Sequence, residues 1–414
     1  MVEKKRFPLL RFPAYSEEWL NIKLITIGRY LGGGTPDSTK IEYWQGSIPW
    51  ISSSDIAEND IHNISITRFI TKQAIDESAT KLIPKNSILI VSRVGIGKFA
   101  IAKTDLCTSQ DFTNITVDTS KFDSYFLGYL FSARKGRFLR LSQGTSIKGF
   151  TSDDIKKAKF AMPAILEEQE KIASFLTAVD KRIELLIQKK EELEHYKKGV
   201  MQKIFEREIR FKDDNGNYFP EWQEKIINKI GEPYNGLTGK SKENFGSGKP
   251  YIQYMQIFSN SKIDTRQFGL VEVDENNNQN KAQKGDVFFT TSSETPNEIG
   301  TASVLLEDVE EVYLNSFCFG FRPNSISELI PEFAQFLFRS AQVRRKIIRL
   351  AQGSTRYNMS KVEFMKQTIM LPTSKEQLKI ASFLSAIDNK IEKANSQIDF
   401  MKNWKKGLLQ QMFV

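Results

Sequence analysis

Two stretches of this chain share one hydrophobic rhythm. Apolar residues recur at alternating spacings of four and three through Ile172, Leu176, Val179, Ile183, Leu186, Leu193, Val200 and Ile204, with Lys190 and Lys197 filling the remaining positions. The same phase returns through Ile380, Leu384, Ile387, Ile391, Ala394, Ile398, Met401, Leu408 and Met412, with Lys405 in the series. Such a rhythm lines one face of an α-helix and is the seam of a coiled coil. The two stretches are also copies of one another. EQEKIASFLTAVDKRIE opens 168–205 and EQLKIASFLSAIDNKIE opens 376–413; a shift of 208 matches 17 of 38 positions without a gap. No Pro lies inside either copy, and Pro163 and Pro372 sit just ahead, where they stop a preceding strand. At about 1.5 Å per residue each helix would be roughly 57 Å long, with a seam that cannot be left in water. The two helices are therefore expected to pack on each other.

Upstream of each helix the pattern changes to short apolar runs bounded by Gly-rich and polar turns, which predicts strands. RFPAYSEEW (11–19) has its counterpart in RFKDDNGNYFPEW (210–222). SIPWISSSDI (47–56) stands against PYIQYMQIF (250–258), and KNSILIVSRVGIGKFAIA (85–102) against KGDVFFTTSSETPNEIGTASV (284–304). A helix follows in each half, FLGYLFSARKGRFLRL and FAQFLFRSAQVRRKIIRL, ending at Gln143-Gly144-Thr145 and Gln352-Gly353-Ser354. Aligning Gln143 with Gln352 and Pro163 with Pro372 gives a shift of 209 both times. The chain thus reads as a tandem duplication: a globule over 1–166, a helix over 167–205, a second globule over 206–374 and a second helix over 375–414. The globules have diverged more than the helices, as expected if the helices keep a common scaffold while the globules read two different things. Drift of loop-rich domains, and a plain coiled-coil stalk or dimerisation element, are the simpler readings.

Composition narrows the class. The 414 residues, 40% of them apolar, suffice for two or three domains with sizeable cores. No apolar run approaches a membrane span, and the basic N-terminus MVEKKRFPLLRFP lacks the apolar stretch of a signal peptide. Cys107 and Cys318 stand alone, as reduced, buried thiols of a cytoplasmic protein would. The net charge of +9 is unevenly placed: +7 over 1–166, 0 over 167–205, −1 over 206–374 and +3 over 375–414. The helices are therefore not the basic surface. Within the second globule eight basic residues fall between Arg339 and Lys366 against Glu363 alone, and Arg134, Lys135, Arg137, Arg140 and Lys148 cluster at the equivalent place in the first. Two basic clusters at matching positions point to a polyanion.

Catalytic motifs do not emerge. Gly95-Ile96-Gly97-Lys98 lacks the spacing of a phosphate loop, and Phe99 stands where Ser or Thr is needed. Gly32-Gly33-Gly34 makes no dinucleotide fingerprint, Pro36-Asp37 has no nuclease constellation downstream, and no Asn-Pro-Pro-aromatic or Asp-Pro-Pro-aromatic tetrapeptide occurs. His62 and His195 have no paired nucleophile nearby in sequence, and with two lone cysteines a zinc site is not expected. The reading is a binding subunit.

EEQEKIASFL and KEQLKIASFL, each following a Met-Pro or Leu-Pro, resemble the conserved-region helices of type I restriction–modification specificity subunits. GTSIKGFTSDDIKKAKFAMP resembles the tail of that family's target-recognition domains, and NGLTGKSKENFGSGKPYIQYMQIF with KGDVFFTTSSETPNEIG a recurring type of such a domain. The resemblance covers essentially the whole chain. It implies an α+β protein in which two α/β target-recognition globules are separated by two long helices packed as an antiparallel coiled coil, with pseudo-two-fold internal symmetry. It further implies that each globule reads one half of a bipartite double-stranded DNA target and that the helices set the spacer. Two modification (methyltransferase) subunits would bring S-adenosylmethionine for adenine-N6 methylation. Two restriction (motor-nuclease) subunits would bring ATP and Mg, leaving no cofactor, metal or catalytic residue on this chain.

Residue expectations follow from these roles. Phosphate positioning falls to Arg134, Lys135, Arg137 and Arg140 in the first globule and to Arg344, Arg345, Lys346 and Arg349 in the second. Base reading needs paired donors and acceptors on loops. The candidates are Ser92, Arg93, Lys98, Gln143, Thr145 and Lys148, then Thr291, Ser292, Ser293, Gln352, Arg356, Tyr357 and Asn358. The alternatives are the specificity chain of a type IIB-like system and a non-catalytic coiled-coil adaptor whose globules bind proteins. A steep salt dependence of DNA binding would separate the adaptor from either DNA reading.

Overall fold

The structure is a computed structural model, described over residues 7–141, 149–274 and 278–414. It divides into two compact units, Met1–Ile187 with Ser396–Val414, and Gln188–Asn395. Each unit holds one globule together with half of each long helix. The helices run without a break over Leu166–Phe205 and Ser374–Met412.

In the first unit a four-stranded antiparallel sheet runs in the order Gly28–Gly32, Phe112–Val117, Ile88–Val91, Phe99–Ile101. Its central strand ILIV is apolar at every position because both faces are covered. Ile88 and Ile90 join the core beneath the helix Ser124–Ala133, while Leu89 and Val91 join a second core with Ile51, Ile83 and Leu106. That second core belongs to a sheet ordered Arg68–Ile70, Ile48–Ile51, Leu106–Thr108, Leu82–Ile83. The second unit repeats the plan, with a sheet ordered Gly231–Asn235, Cys318–Pro323, Val287–Thr290, Ala302–Val304. There Val287 and Phe289 face one core and Phe288 the other. In both units a two-stranded ribbon brings chain entry beside chain exit. Leu20–Lys23 pairs with Lys159–Met162, and Gln223–Ile226 with Thr368–Leu371, so each globule closes where its long helix begins.

The helix halves lie antiparallel within each unit. In the first, Ile172, Leu176, Val179 and Ile183 share a core with Leu408, Met412 and Phe413. In the second, Ile204 and Phe205 share one with Ile380, Leu384 and Ile387, and Val200 and Ile391 pack against it half-buried. Leu186 and Ile398 are buried, while Leu193 and Met401 are half-buried. Ion pairs cross between the helices at equivalent places: Lys405 Nζ lies 2.6 Å from Asp180, and Lys197 Nζ 2.5 Å from Asp388. Both lysines occupy seam positions, which explains why a cation interrupts the apolar rhythm.

Two sequence expectations are corrected. Of PYIQYMQIF (250–258), expected as a strand, only the start is strand, and Tyr254–Ser259 is a helix. The basic helix of each globule is two helices, Ser124–Ala133 then Lys135–Leu141, and Pro331–Leu337 then Ala341–Ile348. Arg134 caps the first break outside helical geometry (φ −107°, ψ 22°). At the second, the Ser340 hydroxyl accepts from Val343 N and starts a new helix.

Candidate nucleic-acid interface

Each globule is fixed to its helix by a buried carboxylate and a buried amide drawn from the repeated Glu-Gln. Glu168 accepts from Arg11 at 2.7 and 2.8 Å and from the Trp19 indole at 3.1 Å. Glu376 accepts from Arg210 and the Trp222 indole, both at 3.2 Å. Beside them Gln169 donates to Pro163 O and accepts from Asp123 N, while Gln377 donates to Pro372 O and accepts from Ile330 N. Buried charge persists only where it is paired and hydrogen-bonded, and here both conditions are met twice. The helix ends complete the junctions. Phe413 packs on Trp19 and Phe126, and Phe205 on Trp222 and Phe333. Glu168, Gln169, Glu376 and Gln377 were legible only as identities in the repeat; their burial was not.

In the first unit His62 Nε2 lies 2.7 Å from the Tyr129 hydroxyl and 3.3 Å from Asp180. Burial favours the neutral acid at Asp180, but the His62 hydrogen bond, the Lys405 charge and the Tyr129 hydroxyl together hold it below its ordinary value. The second unit places Lys197 over the Phe336 ring at 5.2 Å beside Asp388.

In each unit three segments meet at the end of the central strand of the sheet. Ser92 N and Oγ both donate to Asp111 O (2.8 and 3.1 Å), and Phe150 N donates to Ser92 O (3.0 Å). Thr291 N and Oγ1 both donate to Phe317 O (3.0 and 2.8 Å), and Met359 N donates to Thr291 O (3.0 Å). In the second unit this junction extends into a small sheet of Ser292–Ser293, Tyr357–Met359 and Ala351–Gln352. Thr291, Ser292, Ser293, Gln352, Arg356, Tyr357 and Asn358 are thereby brought together. Arg356 Nε donates to Ser292 Oγ (2.8 Å), and its guanidinium lies over the Phe317 ring at 5.6 Å. Ser293 is committed inward, donating to Glu298 at 2.7 Å.

In the first unit Ser92 is buried and held by its own bonds, Arg93 is exposed, and Lys98 donates to Ser53 O at 3.1 Å. Gln143, Thr145 and Lys148 lie outside the described residues.

The basic clusters separate into two kinds. Arg134, Arg344 and Lys346, expected as phosphate contacts, have internal partners instead. Arg134 donates to Val414 O (3.0 Å) and Phe413 O (2.5 Å). Arg344 donates to the carbonyls of Gly300, Asn297 and Ile299 at 2.6 to 2.9 Å, and Lys346 to Thr368. Burial pushes Arg339 and Arg344 down to about 10, and backbone carbonyls supply the compensating acceptors. These side chains brace loops. The others reach solvent: Arg140, Arg345 and Arg349 are exposed, with Arg345 3.6 Å from Glu206. Arg137 spreads over Phe160 at 5.2 Å, and half-buried Lys135 stands 3.4 Å from Glu58. No sequence signal separates bracing from solvent-facing cations, since both sit on one basic run.

Among the described residues no three His, Cys, Asp or Glu side chains are grouped to hold a metal, and no helix is long and apolar enough to cross a membrane. A doubled α/β unit, each copy carrying a polar, arginine-bearing loop junction and seated on an antiparallel helix pair, defines a paired recognition protein. The comparisons agree with that class. The type I restriction modification DNA specificity domain matches twice, over residues 16–195 and 220–399, so the chain belongs to that family. It is 32% identical over 266 residues to the specificity subunit of the type I restriction enzyme MjaIX of Methanocaldococcus jannaschii, a match covering 61% of each chain. It is 34% identical over 182 residues to the EcoR124I/EcoR124II specificity subunit of Escherichia coli, covering 42% of this chain and 44% of that one. The fold matches the crystal structure of the type I S subunit from M. genitalium with a TM-score of 0.58 at 15% identity, over 98% and 99% of the two chains.

Proposed function

We propose that this chain is the DNA-specificity subunit of a type I restriction–modification complex. Each globule reads one half of a bipartite double-stranded target, and the two long helices set the unread spacer between the halves. The observation that carries this reading is the duplication itself, retained down to matched hydrogen bonds at both the helix junctions and the loop junctions. The helices also offer a doubled docking surface for two modification subunits, and two motor-nuclease subunits join for cleavage. S-adenosylmethionine belongs to the modification partner, ATP and Mg to the motor partner, and this chain works in the cytoplasm without a catalytic group or cofactor of its own.

Division of labour within each globule follows from exposure and hydrogen bonding. Lys135, Arg137, Arg140, Arg345 and Arg349 position the phosphate backbone, which carries affinity but no sequence information. Arg93, Gln352, Arg356 and Asn358 meet base edges, with Lys98 (held by the Ser53 carbonyl), Ser92, Thr291 and Ser292 bracing the loops that present them. Arg356 suits guanine: Ser292 fixes the guanidinium at Nε, leaving the terminal nitrogens to form a bidentate pair with O6 and N7.

The test is a map of modified bases in DNA from cells expressing this chain with its modification partner, against cells lacking this chain. N6-methyladenine at one split motif with a fixed spacer is the expected result. Identical maps from soluble, associated subunits would reject the proposal.

A further inference from the structure

One turn occurs in both globules with the same hydrogen bonds and opposite side chains. In the first globule it spans residues 109–112. Ser109 N donates to Ile51 O (2.9 Å), Phe112 N to Ser109 O (3.2 Å), and Asp111 N to Ser109 Oγ (3.3 Å). In the second it spans 315–318. Asn315 N donates to Ile252 O (3.1 Å), Cys318 N to Asn315 O (3.1 Å), and Phe317 N to Asn315 Oδ1 (2.8 Å). The third residue of each turn is then locked from outside, its carbonyl accepting both N–H and O–H from Ser92 or from Thr291. Strand register places the two at the same point. Val91 pairs with Phe112 and Thr290 with Cys318, so Asp111 and Phe317 each stand one step beyond the last central pair.

We infer that Asp111 and Phe317 occupy one base-reading position, filled by a carboxylate in the first globule and by a phenyl ring in the second. The inference rests on the specificity reading above and names determinants of each half-site. Phe317 is 53% exposed, although its backbone is held at both N–H and C=O. A large apolar side chain so fixed and so exposed has no core to fill. Arg356, the candidate guanine reader, lies over its ring. Asp111 is half-buried; Ser109 Oγ donates to one of its carboxylate oxygens at 3.3 Å, and among the described residues no Lys or Arg forms an ion pair with it, so the other oxygen remains to accept from a base. Beside exposed Arg93 it does not serve phosphate, which repels a carboxylate. Base edges offer each side chain a fitting partner. A carboxylate accepts from an exocyclic amino group, N4 of cytosine or N6 of adenine, and a phenyl ring packs on the thymine methyl. The platform fixes where the side chain stands, and the side chain decides which base is accepted.

The full-length chain, co-expressed with its modification partner, tests this through the modified-base map. Asp111→Asn exchanges two acceptors for an acceptor and a donor, and Phe317→Ala removes the ring. Each should relax or change one base pair in one half of the motif only, lowering discrimination there about tenfold or more while the other half and the spacer stay fixed. An unchanged motif at unchanged occupancy would overturn the inference and leave the specificity reading intact. A wild-type map with no split motif would take both down. If a variant abolishes methylation, competition binding of the assembled complex decides: equal loss on cognate and random DNA overturns the inference, and selective loss on cognate DNA supports it.

Discussion

The helix junctions and the loop junctions of this molecule are both duplicated, yet they treat their side chains differently. At the helix junctions geometry and chemistry are both kept. Glu168 with Arg11 and Trp19 is answered by Glu376 with Arg210 and Trp222, and Phe413 by Phe205. At the loop junctions only the backbone is kept, and Asp111 is answered by Phe317. A buried junction leaves little freedom, because each side chain is both a packing partner and a hydrogen-bond partner of its neighbours. A turn satisfied through its own backbone and an anchoring hydroxyl leaves the outward side chain free to vary.

Breaking the kept junctions should give the largest effects, and nearly equal ones. Phe413→Ala and Phe205→Ala each remove a ring that is at most 3% exposed, at a cost of about 4 kcal/mol. Denaturant unfolding of the two variants should show similar losses, and a difference above about 2 kcal/mol would mean that the junctions are not energetically equivalent.

Glu168→Gln and Glu376→Gln come next. Glu168→Gln leaves Arg11 facing a neutral amide, an expected loss of about 3 kcal/mol measured in the same way. Arg210, by contrast, keeps Glu221 and the carbonyls of Phe219 and Pro220 when Glu376 is neutralised. The pairing is tighter at Arg11 (2.7 Å) than at Arg210 (3.2 Å), so Glu168→Gln should be the more costly.

At the loop junctions, Arg356→Ala should leave folding within about 0.5 kcal/mol of the original but lower cognate DNA binding by about 1–3 kcal/mol, relaxing one half-site. Arg140→Glu should weaken cognate and random DNA alike and flatten the salt slope, as loss of a phosphate contact does. An Arg140→Glu effect confined to one base pair would reverse the roles assigned here. Binding isotherms at several salt concentrations distinguish the two.

The smallest effect separates the helix contacts of the two units. Asp180 is held below its ordinary carboxylate range, so its contribution to stability is fully present above that range and is lost as pH falls through its folded-state value. Asp180→Asn should therefore lower stability at neutral pH and flatten the acid limb of the stability profile. A steepened limb would contradict the sign.

How much was legible beforehand depended on distance along the chain. The repeat, the two helices and their seams follow from a local rhythm, because a helix repeats its geometry every few residues and states its buried face as it goes. Much of the doubled strand pattern before each helix could be read for the same reason, but in 250–258 the apolar run continues past the strand into the helix Tyr254–Ser259. The split of the second basic helix could be read only in hindsight, from Ser340 as a cap.

By itself, the sequence determined that the chain is duplicated, that two long helices carry apolar seams, and that cations cluster at equivalent places. Only the tertiary structure decided which cations brace and which face solvent. Arg344 and Arg345 are adjacent, yet one is bound to three carbonyls and the other is exposed. The tertiary structure also paired Ser92 with Asp111 and Thr291 with Phe317, partners separated by 19 and 26 residues. Strand register fixes both pairings, and register is set by which faces find a core rather than by neighbours in the chain.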